Sequence, residues 1–219
     1  MPFSPLFGTD GIRGKFGEVL TGSLAMQIGF WAGQAMQASA LQPGSVIMGQ
    51  DSRNSSDLLA AALLRGFTAA GVEVWDLGLC PTPAVAYLTS VFNTIGGVMI
   101  SASHNPPEDN GIKFFDHDGS KLSQPIQEQI EIALRRAVEF AEISYTPRSR
   151  SYCRPELLEN YFAALQMPFL REATDVLPLT GMHIVLDLAW GAAVNLAPRA
   201  FRSLGARVTC LHAEADGNR

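Results

Sequence analysis

Three short apolar runs, at residues 46–48, 72–77 and 97–101, are separated by two stretches of helix length. This alternation, more than any other feature, limits what the chain can fold into. A helical crossover returns the chain to the end of the sheet from which it left, so strands joined this way lie parallel. The pattern predicts an α/β domain with a mixed, largely parallel sheet flanked by helices. The helices carry their own signals. Thr21 can cap a helix with Leu24, Ile28, Trp31 and Ala35 at helical spacing, and Pro43-Gly44 breaks it. Residues 55–70 are rich in alanine and leucine and stop at Gly71. Pro81 and Pro83 bracket the start of a helix reaching residue 92, and residues 124–142 read as a long amphipathic helix.

A stretch rich in Ser, Arg and Pro at residues 144–155 marks a shift in composition. We place a domain boundary there, with a first domain over 1–150 and a second over 151–219. The second part shows a helix from 156, a strand at 183–188, a helix at 193–204, Gly205, and a strand at 207–211. This order echoes residues 46–77, so the two domains share a plan. Roughly 70 residues are too few for most α/β domains, so the second is expected to be incomplete.

The formal charge of −5 offers no basic field, which argues against a nucleic-acid partner. An anionic ligand must instead be held by local cations or backbone N–H groups. Cys80, Cys153 and Cys210 lie far apart, without disulfide-framework or zinc-ligand spacing, as expected for a reduced, cytoplasmic chain. Residues 1–5 lack the features of a signal peptide, and no apolar run approaches the ~18–20 residues of a membrane span.

The chemistry concentrates in residues 100–115, ISASHNPPEDNGIKFF. Ser103 leaves a strand end, where ligands gather in open α/β sheets. Pro106 and Pro107 stiffen the loop, Gly111 is expected to permit the reversal, and Lys113 returns ten positions after the serine. A hydroxyl, the His104 imidazole and an ammonium can meet there, as phosphoryl transfer requires. Spacing alone equally allows a Ser/Asn/Pro turn with a solvated lysine. Asp51 and Arg53 read as turn and capping residues, the three tryptophans as packing, and His117, His183 and His212 as incidental.

Ser101-Ala102-Ser103-His104-Asn105-Pro106, followed by Asn110-Gly111-Ile112-Lys113, resembles the active-site serine loop of the α-D-phosphohexomutase family. The family pattern is [ST]-[AG]-S-H-N-P, then N-G-[FI]-K. FGTDGIRG at residues 7–14 is similar to the opening of its glucosamine-phosphate branch, and VIMGQDSR at 46–53 resembles a further family stretch. The resemblance implies that Ser103 carries the phosphoryl group, that Arg13 lies near its phosphate, and that His104 and Lys113 flank it. One or both of these last two would move protons. It also implies Mg²⁺ held by phospho-Ser103 and by three aspartates of a DGDxDR-like loop. That loop does not occur in these residues, and Asp216-Gly217-Asn218-Arg219 has only a superficial likeness to it. The implied substrate is a hexose phosphate, turned over through a hexose 1,6-bisphosphate, in a cytoplasmic protein that allows a homodimer at full length. Within the family, glucosamine 6-phosphate to glucosamine 1-phosphate is the expected reaction, with phosphoglucomutase or phosphomannomutase activity as the alternative. The chain itself reads as an N-terminal fragment without turnover of its own. Two other classes compete. A serine hydrolase is disfavoured because no GxSxG elbow is present; a non-catalytic phosphosugar-binding module would lack the aspartate loop altogether.

Overall fold

The computed structural model describes residues 6–137, 146–170 and 176–219. Strands β1 (Ile12–Lys15), β2 (Ser45–Gln50), β3 (Glu73–Leu79), β4 (Gly96–Ile100), β5 (Asp109–Phe115) and β6 (Ser151–Cys153) form one sheet in the order β1-β5-β4-β2-β3-β6. The stretch β4-β2-β3-β6 is parallel, and β5 and β1 are added antiparallel. The expected mixed, largely parallel sheet is therefore present, and its direction changes where the serine loop joins β4 to β5.

Helices α1 (Gly22–Ser39), α2 (Ser56–Ala69), α3 (Thr82–Val91) and α4 (Gln124–Ala137) cover the sheet. The predicted cap of α1 forms, with the Leu24 N–H donating to Thr21 Oγ1 over 3.1 Å. Alternation along the strands sorts the core into two layers. Val46, Met48, Val98, Ile100 and Ile112 pack with α1, α2 and α4, whereas Ile47 and Met99 pack with α3. The expected continuation of α4 from 138 to 142 lies outside the described residues.

The first sheet extends past residue 150. β6 pairs parallel with β3, Trp75 opposite Tyr152, so the segment just after the expected boundary is still attached to the first sheet. Helix α5 (Leu158–Leu170) then packs on α3, with the Tyr87 and Tyr161 rings 5.7 Å apart. Strands β7 (His183–Asp187) and β8 (Arg207–Leu211) pair parallel around helix α6 (Ala197–Ser203), repeating the plan of β2, α2 and β3. Among the described residues no helix is long and apolar enough to cross a membrane.

Candidate active site

β4 leads into the loop through buried Ser101 and Ala102, and Ser103 is the first exposed residue after them. The Ser101 N–H still donates to the Gly111 carbonyl of β5 at 2.9 Å, so the ladder continues to the rim of the loop. Ser101 Oγ accepts the Ser103 N–H at 2.9 Å, and Ser103 itself sits at φ +60°. That left-handed conformation costs an L-residue roughly 1–2 kcal/mol and is held only by its surroundings. It turns the hydroxyl outward. His104 Nδ1 lies 3.4 Å from Ser103 Oγ, and both side chains are exposed.

The chain reverses between Ala102 and Asp109, with the Asp109 N–H donating to the Pro106 carbonyl at 3.0 Å. The expectation that Gly111 makes this reversal is corrected: Gly111 lies inside β5, directly opposite Arg13 of β1. A Cβ there would lie 2.6 Å from the Ser101 carbonyl oxygen and 3.0 Å from Arg13 Cγ. The glycine makes room for the arginine to cross the strand. Lys113 is two residues further along β5, hence on the same face as Arg13.

Arg13 makes only long contacts. Its Nη1 donates to Asn105 Oδ1 at 3.3 Å and to the Ala102 carbonyl at 3.5 Å, and Nη2 pairs with Asp10 at 3.2 Å. Its Nε is buried without a partner. Burial, and then the Arg13 charge, push the Lys113 pKa below its ordinary value. Two cations thus share one face of the sheet beside an exposed hydroxyl, an arrangement that an anion would relieve. Lys113 also borders a cavity of about 220 Å³ between Asp10, Thr82 and Lys121.

A second arginine comes from the neighbouring strand. β2 ends beside Ile100 of β4, and the Asp51 N–H donates to the Ile100 carbonyl at 2.9 Å, which brings the turn after β2 against the serine loop. Arg53 Nη1 donates to the carbonyls of Pro106 at 2.6 Å and Asp109 at 2.8 Å. Its Nη2 donates to those of Ser103 at 2.9 Å and Asn105 at 2.8 Å. Nε pairs with Asp51 at 3.1 Å, and Asp51 also accepts the Ser56 hydroxyl at 2.9 Å. Sequence reading treated Asp51 and Arg53 as turn and cap residues and missed this reach. It also passed over buried Asn110, whose Nδ2 donates to Ser55 Oγ at 2.8 Å and Ser56 Oγ at 3.1 Å, tying β5 to the start of α2.

The structure thus brings Ser103, His104, Arg13 and Lys113 to one end of the sheet. The other histidines pair elsewhere: His117 with Asp116 at 2.8 Å, His183 with Thr209 at 2.9 Å, and His212 with Asp187 at 2.8 Å. Among the described residues no group of three or more His, Cys, Asp or Glu side chains could hold a metal ion.

The class the fold defines is an α/β/α domain whose β4–β5 loop carries an exposed serine, with Arg13 and Lys113 on the adjoining face of the sheet. Residues 4–139 match the family described as phosphoglucomutase/phosphomannomutase, alpha/beta/alpha domain I. The chain belongs to the phosphoglucomutase/phosphomannomutase family. It is 57% identical over 219 residues to a phosphoglucosamine mutase of Trichodesmium erythraeum, covering 100% of this chain and 44% of that protein. It is 59% identical over 220 residues to one of Nostoc punctiforme, with the same coverage of 100% and 44%. It therefore spans less than half the length of these relatives. A phosphoglucomutase/phosphomannomutase family protein of Burkholderia thailandensis superposes with a TM-score of 0.79 at 27% identity, covering 98% of this chain and 45% of that one. The phosphoglucomutase parafusin of Paramecium shares the fold, with a TM-score of 0.67 at 20% identity over 97% of this chain and 44% of that one.

Proposed function

We propose that the chain is the N-terminal portion of a cytoplasmic phosphohexomutase in which Ser103 carries the phosphoryl group. The carrying observation is the exposed Ser103 hydroxyl on a left-handed backbone, in a loop that Arg13, with its partnerless Nε, reaches at the Ala102 carbonyl and Asn105. In this reading phospho-Ser103 donates to a hexose phosphate: the P–Oγ bond breaks, a P–O bond to the sugar hydroxyl forms, and a hexose bisphosphate results. The bisphosphate turns over and returns its other phosphoryl group to Oγ, leaving the isomeric monophosphate. Arg13 faces the phosphate oxygens with a planar fork suited to them. Burial and then the Arg13 charge lower the Lys113 pKa, and a phosphate on Ser103 would act in the opposite direction. The Lys113 ammonium, on the same face as Arg13, would add charge for the phosphate oxygens and is one candidate for the proton. His104, 3.4 Å from Oγ, is the other candidate for the proton.

Mg²⁺ would supply charge neutralisation at the phosphate. The described residues alone do not fit it, since they offer no cluster of three ligating side chains beside Ser103. The relatives at 57% and 59% identity are named for glucosamine phosphate, which favours glucosamine 6-phosphate and glucosamine 1-phosphate as the substrate pair. Residues 151–219 are, on the same reading, the opening of a second domain, with β6 paired to the first sheet.

The test is a coupled assay of the full-length protein with each hexose phosphate, beside Ser103→Ala. Turnover is expected with the glucosamine phosphates and is expected to vanish in the variant. Intact mass should show one phosphoryl group on part of the wild-type population and none on Ser103→Ala. Near-normal turnover by the variant would remove Ser103 from the mechanism.

A further inference from the structure

Resting on that reading, we propose that Arg53 is the positioning residue of the serine loop: its guanidinium fixes the backbone that aims Ser103 and does not itself hold phosphate. A guanidinium has five N–H donors. In Arg53 all five are engaged, one with Asp51 and four with the carbonyls of Ser103, Asn105, Pro106 and Asp109. No donor remains for a ligand. Arg13 is the contrast, with contacts no shorter than 3.2 Å and a buried Nε that has no partner. The two arginines divide the work. One faces outward toward an anion, and the other faces the main chain of the loop.

The four carbonyls span the whole reversal between β4 and β5, so their oxygens converge on a single point. Without a cation there, they would repel one another, and Pro106 would keep only the Asp109 N–H. Asp51 balances the charge, and the two side chains are only 9% and 12% exposed. Asp51 is itself held by the Ser56 hydroxyl and the Arg53 N–H. The grip includes the carbonyl of Ser103, the residue at φ +60°. Such a conformation persists only where its surroundings over-determine it. Loosening the clamp lets Ser103 relax and shifts Oγ off the line of attack. A displacement near 1 Å costs on the order of 10²-fold in rate.

Lysine offers only three donors in place of five. In full-length protein, Arg53→Lys is therefore expected to lower both kcat and the rate of phosphoryl uptake at Ser103 from a hexose 1,6-bisphosphate. The drop should be on the order of 10²-fold, with KM barely changed, since the loss falls on transfer and not on ground-state binding. Arg53→Ala should regain part of its kcat when methylguanidinium is added, which a general loss of structure would not. Asp51→Asn, which keeps the shape but removes the counter-charge, should show a smaller loss of the same kind and decides the matter if the Arg53 variants do not fold. A folded Arg53→Lys with wild-type kcat, or with its defect confined to KM, overturns the inference. If wild-type Ser103 takes up no phosphate, the proposed function fails, and amide exchange across residues 103–109 judges the clamp by itself. Exchange there should be faster in Arg53→Lys with the rest of the chain unchanged, and equal exchange overturns it.

Discussion

Ser103 combines a chemical role with a conformational cost, and the two can be separated by substitution. Ser103→Ala and Ser103→Gly both remove the hydroxyl, but only glycine is at ease at φ +60°. Ser103→Gly is expected to be the more stable of the two by roughly 0.5–1 kcal/mol, the left-handed penalty less the extra chain entropy of glycine. Equal urea midpoints would mean that the backbone there is not strained. Lys113 gives a pH signature. Its pKa in the folded chain lies below the ordinary 10.5 because of burial and then Arg13. Below both values the ammonium is charged in either state, and the fold bears the cost of burying it. As pH climbs from the lowered value toward 10.5, the folded chain sheds the proton first and that cost disappears. The stability of wild type relative to Lys113→Met should therefore rise across that window; a flat difference would remove the effect. Burial also pushes the Cys80 thiol up to about 12, whereas Cys153 is exposed. Mild alkylation should label Cys153 in the native chain and spare Cys80 until unfolding, as peptide mapping would show. Ser103, Arg13 and Lys113 were legible because chemistry-bearing side chains recur at motif spacing. Arg53 was not, because its partners are main-chain carbonyls about 50 residues away and main-chain atoms carry no sequence signature.

Strands and helices were legible wherever burial imposed a period. β2 and β4 are buried along nearly their whole length and stand out as apolar runs, and α1 and α2 show helical spacing. β6 escaped because all three of its residues are exposed at a sheet edge, so no hydrophobic pattern marks them. The close packing of α1 on α2 was equally hidden. A Cβ on Gly66 would lie 2.1 Å from the Met26 carbonyl oxygen and 2.6 Å from the Phe30 nitrogen. In an open helix Gly→Ala stabilises by ~1 kcal/mol. Here the added methyl meets backbone, which cannot swing aside, and overpacking costs about 1–3 kcal/mol or more. Gly66→Ala is expected to lower stability by about 1–3 kcal/mol, opposite in sign to propensity. Gly22→Ala, with nothing within 4 Å of its Cβ, is the control and should leave the urea midpoint unchanged or slightly raised. A stabilised Gly66→Ala would mean that the two helices stand further apart.

At the scale of the whole molecule, stability is unevenly spread. β2 lies between two neighbours and under helices on both faces, whereas β7 and β8 each have one strand neighbour among the described residues. Their alternate residues face outward on both strands, with Val185 58% and Leu211 46% exposed. A two-stranded pair is marginal in water unless something else holds it. Among the described residues, the polar ties from this unit to α5 and to the turn after β2 are mostly at the surface. Glu159 pairs with Arg199 at 2.5 Å, and Asn54 donates to Asn218 at 2.8 Å. Exposed pairs of this kind contribute about 0–1 kcal/mol each. The β7–β8 unit should therefore open without the first sheet unfolding. Hydrogen exchange by mass spectrometry is expected to show peptides covering 183–187 and 207–211 exchanging well before those covering 45–50 and 96–100. Low urea should narrow that gap, since opening the first sheet exposes more surface and its free energy falls more steeply with denaturant. If all four segments instead exchange together at every urea concentration, the chain unfolds as one cooperative body, and the surface ties carry more coupling than their exposure allows.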